Sequence, residues 1–179
     1  VIDEVECLKG LADAINVTDG AGAKSHMSAL ATAAILAQNG IEPILQFTTR
    51  DRNRIAIQGD LLGGWALDIP NILCLYGDEV KGGDQPDTKE VRDLDTIGIL
   101  RTAHEIKTKK MYPSGRKIND APEFFIGGAD TPFKINNDFD GSNLLKKNEA
   151  GVEFFQTQYV FEKDLLKNYM RKLNELNIT

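Results

Sequence analysis

Asn71 to Asp78 reads "NILCLYGD", an apolar run that ends on Tyr, Gly and an acid. The run looks buried, and Pro70 sits at its entry, where a missing N–H is tolerated at the start of a strand. An acid where such a strand must turn either keeps a loop soluble or is presented to a ligand. The neighbouring segments bear on that choice.

On either side, short β-rich runs alternate with amphipathic segments. Residues 13–20 ("DAINVTDG"), 42–51 ("EPILQFTTRD"), 123–130 ("EFFIGGAD") and 152–161 ("VEFFQTQYVF") read as strands beside 69–78. Between and after them, 25–38, 54–68, 94–107, 141–150 and 163–176 read as helices, with a charged helix-like stretch over 1–12. Gly40 ends the first of these as a C-terminal cap that tolerates positive φ. A polar insertion, 79–92, and a loop, 111–122, complete the pattern. Strands alternating with helices mean βαβ units and a parallel sheet. A doubly wound open sheet and a (β/α)8 barrel both satisfy it. Five units suffice for the first and are too few to close the second, which takes ~250 residues.

The composition excludes several classes. A net charge of -6 over 179 residues argues against a nucleic-acid backbone as partner, since a phosphate footprint needs clustered Lys and Arg. The longest basic cluster, Lys107 to Lys110, reads as a solvated loop. No apolar run approaches the ~20 residues of a membrane span. Cys7 and Cys74 lack metal-ligand spacing and fit a reducing, cytoplasmic setting. The whole of 1–179 reads as a single domain. It opens on Val1 inside a helix-like stretch and closes on "LNELNIT", which suggests a piece of a longer protein.

In either architecture ligands bind at the carboxyl ends of the strands. Those ends carry Thr18 and Asp19; Gln46, Thr48, Thr49, Arg50 and Asp51; Tyr76, Gly77 and Asp78; Gly127, Gly128 and Asp130; Gln156, Gln158 and Tyr159. All are hydrogen-bonding groups or small residues that admit a ligand. Asp19 before Gly20 is foremost a turn pair, and Arg50, Asp51 and Arg52 foremost a loop ion-pair cluster. Gln158, inside an aromatic strand run, needs partners for both ends of its amide and so meets a ligand or a buried network. His26 and His104 have no Ser, Cys or acid at meaningful spacing, and His104 lies on the polar side of its helix. "TDGAGAKS" lacks the third glycine of a dinucleotide fingerprint, and no Walker loop, metal pattern or nucleophile elbow occurs.

The run from "DAINVTDGAGAKS" through "QFTTRDRN" to "LYGD", followed by "FFIGGAD" and "LLKKNEAGVEFFQTQYVF", resembles methylenetetrahydrofolate reductases throughout and in order. The resemblance implies a (β/α)8 flavoprotein barrel of which this chain supplies about five consecutive βα units, with the first strand and the last two outside it. "NILCLYGD" becomes the fourth barrel strand. It further implies FAD as cofactor, NADH or NADPH as electron donor, a folate substrate, and reduction of 5,10-methylenetetrahydrofolate to 5-methyltetrahydrofolate in the one-carbon metabolism that feeds methionine. Thr18 matches a flavin-contacting Thr, and Gln46 stands where many members have a flavin-contacting His. Gly77 and Asp78 match a Gly-Asp pair beside the flavin pyrimidine edge and the pterin, with Tyr76 in place of the residue often preceding it. Asp140 and Lys147 match residues serving the ribityl and phosphate part of FAD, and Ala129 falls near a flavin-contacting Tyr. Gln158 matches a pterin-binding Gln, with Tyr159 beside it on the rim. The family's catalytic Glu, in an "EF-x-PP"-like stretch, has no counterpart here. That departure keeps open a non-catalytic or partner-dependent subunit in one-carbon transfer. A homo-oligomer is equally open. A lyase or aldolase barrel would need a strand-end Lys, which is lacking.

Overall fold

The computed structural model describes residues 1–132 and 141–178. In chain order the elements are α1 (Ile2–Val5), β1 (Ile15–Val17), α2 (Ala29–Gln38), β2 (Pro43–Thr48), α3 (Arg54–Ala66), β3 (Asn71–Leu75), α4 (Thr96–Lys109), β4 (Phe125–Asp130), α5 (Ser142–Glu149), β5 (Phe154–Thr157) and α6 (Lys163–Glu175). All four strand pairings are parallel, and the sheet order is β1-β2-β3-β4-β5. A doubly wound sheet reverses its order at a switch point, and this one never does. The winding is that of a barrel.

Register assigns the two faces, because residues paired across a ladder share a face and neighbours along a strand alternate. Val17 pairs with Leu45, Phe47 with Cys74, and Ile72 with Ile126. These six pack with Ile57 and Leu61 of α3 and with Ile99, Leu100, Ala103 and Ile106 of α4 into one buried cluster. The opposite face carries Asn16, Gln46, Thr48, Gly127, Phe154 and Gln156. On that face Asn16 Nδ2 donates to Gln156 Oε1 at 2.8 Å, from the first strand to the last. Four strand steps in a flat sheet would separate them by roughly 19 Å, beyond the reach of two amide side chains. The sheet is therefore curled, with this face inside, where Ile44, Leu73 and Leu75 join the polar residues, and forms a partial TIM-barrel-like α/β fold.

Local chemistry sets the ends of the elements. Asn53 caps α3, accepting from the N–H groups of Ile55 and Ala56, and Asp95 caps α4 through Gly98 N–H. A second cluster, Leu144, Tyr169, Leu173 and Ile178, joins α5 to α6.

Several elements differ from the sequence reading. The strands are shorter, and β5 stops at Thr157 because its partner β4 ends at Asp130; Gln158 N–H donates to Asp130 O at 3.0 Å as the last rung. The stretch 1–12 holds only one turn of α-helix and a 3-10 turn, and α2 begins at Ala29, four residues late. Lys107 to Lys109 form the last turn of α4, and Lys107 Nζ donates to Phe124 O and to Glu153. A basic last turn suits the negative end of the helix dipole, which the loop reading overlooked. His104 is half-buried against the backbone of Gly151, where a Cβ would sit 2.3 Å from the ring. Only glycine permits that approach.

Candidate functional site at the strand carboxyl ends

The curled face opens at its carboxyl end into a cavity of about 610 Å³, lined among others by Asn16, Thr18, Gln46, Asp78, Gln156 and Tyr159. Its walls are held by charge pairs at its edge, one of them made by the lining residue Asp19. Asp19, at the end of β1, is buried and accepts from Thr48 N–H (2.9 Å), Thr48 Oγ1 (3.0 Å) and both terminal nitrogens of Arg52 (2.6 and 3.2 Å). Arg52 also donates to Asp60, and Arg50 chelates Asp51 while reaching Gly20 O. Both guanidiniums are thus spent on structure, as the turn and ion-pair readings have it. Burial depresses the Arg52 pKa, but its bonds to Asp19 and Asp60 outweigh that and hold it above its ordinary value.

The third wall is the Tyr76–Asp78 turn. Gly77 lies at φ +86, and a Cβ there would meet Thr48 Cβ at 3.0 Å, so this turn requires glycine for both reasons. Arg92, at the end of the polar insertion, donates to the carbonyls of Tyr76 (2.8 Å), Gly77 (3.3 Å) and Asp78 (3.4 Å) and stacks 3.8 Å from the Tyr76 ring centroid. Its ion pair with Glu90, helped by the Val80 N–H, pulls the Glu90 carboxyl down to about 2. The insertion folds back onto β2, with Val91 N–H on Arg50 O and Arg92 N–H on Thr49 O. Asp78 is exposed, and its Oδ2 accepts from Gly22 N–H at 2.8 Å, tying this turn to the loop after β1.

Among the expected site residues, Thr18, Gln46, Tyr76, Gly77, Asp78, Gln158 and Tyr159 are brought together around this cavity. Gln158 lies past the strand end and is exposed, and Tyr159 is 86% exposed with its ring 6.4 Å from Phe161. Ala129 is on the inner face, level with Gln156. Lys147 is buried behind β4 instead, with Nζ donating to Ala129 O at 2.5 Å and its stem against Gly128. Burial lowers its pKa, an effect partly offset by Asp130. Asp140 lies outside the described residues. Two contributors were missed. Asn16 shows only as a polar residue two before Thr18 in "INVT", and Arg92 has no local signal at all.

Among the described residues no group of His, Cys, Asp and Glu is placed to hold a metal ion, and no helix is long and apolar enough to cross a membrane. A singly wound parallel sheet, curled around a polar mouth at its carboxyl ends, defines a barrel-type protein with a ligand site at the usual face. The family model described as methylenetetrahydrofolate reductase matches residues 2–179, and the chain belongs to that family. It is 27% identical over 159 residues to a Caenorhabditis elegans protein named "Probable methylenetetrahydrofolate reductase (NADPH)". That alignment covers 87% of this chain and 22% of the relative, so the chain spans about a fifth of the relative's length.

Proposed function

We propose that the chain serves a flavin-dependent reductase converting 5,10-methylenetetrahydrofolate to 5-methyltetrahydrofolate, with FAD as cofactor and NADH or NADPH as electron donor. The observation that carries this reading is the convergence of Thr18, Gln46, Asp78 and Gln156 on one cavity at the carboxyl ends of a curled sheet, in a chain of this family.

The same reading makes residues 1–179 one domain and β1 to β5 the second to sixth strands of an eight-stranded barrel. Its support is the stagger across the curl. Asn16 follows the register through Ile44, Asn71 and Phe125, which extends to Val152 because Gly127 pairs with Phe154. Its hydrogen-bond partner is Gln156, four residues beyond that register position. Eight strands with a shear of about eight shift by about four over half the circumference.

The residues suit a flavin ring. Among the described residues Asn16 Oδ1 is buried without a hydrogen-bond partner, and the cavity presents amides from three strands, β1, β2 and β5. FAD, when bound, supplies the hydride-transfer chemistry, and the protein binds, orients and tunes. Thr18 and Gln46 would hold the ring, with Tyr76 and Gly77 beside it. Asp78 would fix its pyrimidine edge and the pterin, and Gln158 and Tyr159 would form the outer rim for the folate. Asp140 and Ala129 complete the proposed flavin contacts. Lys147 would act indirectly, by holding the end of β4 through Ala129 O. The resemblance assigns the proton for the folate nitrogen to a Glu of the family's first barrel strand, which has no counterpart among these residues; Asp19 is already bound to Thr48 and Arg52.

The purified protein is expected to be yellow and to be bleached by NADH or NADPH under anaerobic conditions. Asp78→Asn is then expected to slow reoxidation by the folate while leaving FAD bound. A colourless protein that takes up no FAD refutes the reading.

A further inference from the structure

Two glutamines of the mouth share one arrangement. Gln46 Oε1 accepts the backbone N–H of Asp19 at 3.2 Å, and Gln156 Oε1 accepts Asn16 Nδ2 at 2.8 Å. An amide whose oxygen is engaged by the protein turns its NH2 group the other way. Both side chains are on the inner face and line the cavity, and neither NH2 has a partner among the described residues. The mouth is thereby biased toward donors.

The orientation of the Asn16–Gln156 pair follows from cost. Turning both amides over would preserve one hydrogen bond between them but leave the Asn16 NH2 in the buried position now held by its Oδ1. Buried orphan N–H groups are rarer than under-satisfied carbonyls, so the arrangement with Gln156 Oε1 as acceptor wins.

We infer that Gln156 is a ligand-binding residue of this mouth and Asn16 its positioning residue, fixing the amide so that Gln156 offers N–H donors to carbonyl acceptors on the edge of a planar heterocycle. The inference rests on the reductase reading, in which that heterocycle is the flavin ring. Gln46 supplies a second donor from across the curl, its orientation fixed by Asp19 N–H. Donors placed to meet acceptor oxygens discriminate against ring edges that lack them, since a mismatched partner leaves a desolvated amide unpaired.

The test is a double-mutant cycle read as FAD affinity of the apoprotein, by quenching of flavin fluorescence, in wild type, Asn16→Leu, Gln156→Met and the double variant. Each single change is expected to weaken FAD binding roughly tenfold, the loss of one good hydrogen bond. The double variant is expected to be no weaker than Gln156→Met alone, because Asn16 acts only through Gln156. Replacing both partners by apolar groups of similar shape keeps the fold, so the apoprotein melting transition of the double variant should persist. Unchanged affinity in the single variants, or additive losses near a hundredfold, overturns the inference. Lost binding together with a lost melting transition in the double variant also overturns it, in favour of a purely structural pair. Wild type that takes up no FAD removes the reductase reading and this inference with it, whereas uptake by wild type with unaffected variants removes the inference alone.

Discussion

Replacing Asp19 by Ala deletes the acceptor on which two strands meet. Asp19 is 8% exposed and Thr48, its partner on β2, only 2%. After the change the Thr48 N–H is left buried without a partner, at about 1–3 kcal/mol, while the hydroxyl is free to turn. Arg52 loses two of its charge-assisted bonds but keeps Asp60 at 2.8 Å, which places the broken ion pair at the low end of the about 3–5 kcal/mol typical of buried pairs. The two losses overlap, so the expected destabilisation is about 3–4 kcal/mol. Asp19→Asn keeps an oxygen for Thr48 but turns an NH2 toward the guanidinium, so about 1–2 kcal/mol is expected. Urea unfolding followed by the fluorescence of Trp65, the sole tryptophan, measures both through shifts in midpoint at unchanged m-value. An Ala variant within about 0.5 kcal/mol of wild type would refute the claim that this carboxylate joins β1 to β2. An Asn variant as damaged as Ala would show that the charge alone matters and the Thr48 bonds do not.

Two further outcomes are expected. Burial pushes the Cys74 thiol up to about 12, whereas Cys7 is exposed, so a thiol reagent at pH 8 should label Cys7 in the native protein and reach Cys74 only after denaturation; rapid native labelling of both would contradict the core position of Cys74. Arg92 holds the Glu90 carboxyl near 2, below its value in an unfolded chain, so the stabilisation is present above the unfolded pKa and is lost as pH falls through about 2. A carboxyl NMR titration should find Glu90 near 2 in wild type and higher in Arg92→Met, still short of the ~4.3 of a free Glu because the Val80 N–H remains, and an unmoved value would break the proposed clamp on the Tyr76–Asp78 turn.

What could be read in the sequence was whatever period and strand ends encode. The alternation of β-rich and amphipathic runs gave five strands in a parallel sheet, and polar strand ends pointed to the mouth before any contact was known. Winding direction was not legible, because doubly wound and barrel topologies differ in which neighbours pair, and that is a long-range property. The resemblance supplied the barrel, and the sequential strand order and the Asn16–Gln156 bond now carry a curled, partial barrel physically. Arg92 illustrates the limit more sharply. Its guanidinium meets carbonyls 14 to 16 residues earlier in the chain, across an insertion whose composition resembles any polar loop. Lys147 shows a limit of the opposite kind. Its spacing to "AG" aligned it with a flavin site, but the turn that aligns it also buries its stem behind β4, where a backbone carbonyl is the nearest partner. Spacing along a helix fixes which face a side chain leaves from, and the neighbouring strand decides whether that face looks into the mouth or away from it. The acid of "NILCLYGD" falls between these cases. Asp78 does reach the rim, as its strand position required, yet one of its oxygens already secures Gly22, so any ligand it meets is met by a carboxylate anchored between two loops.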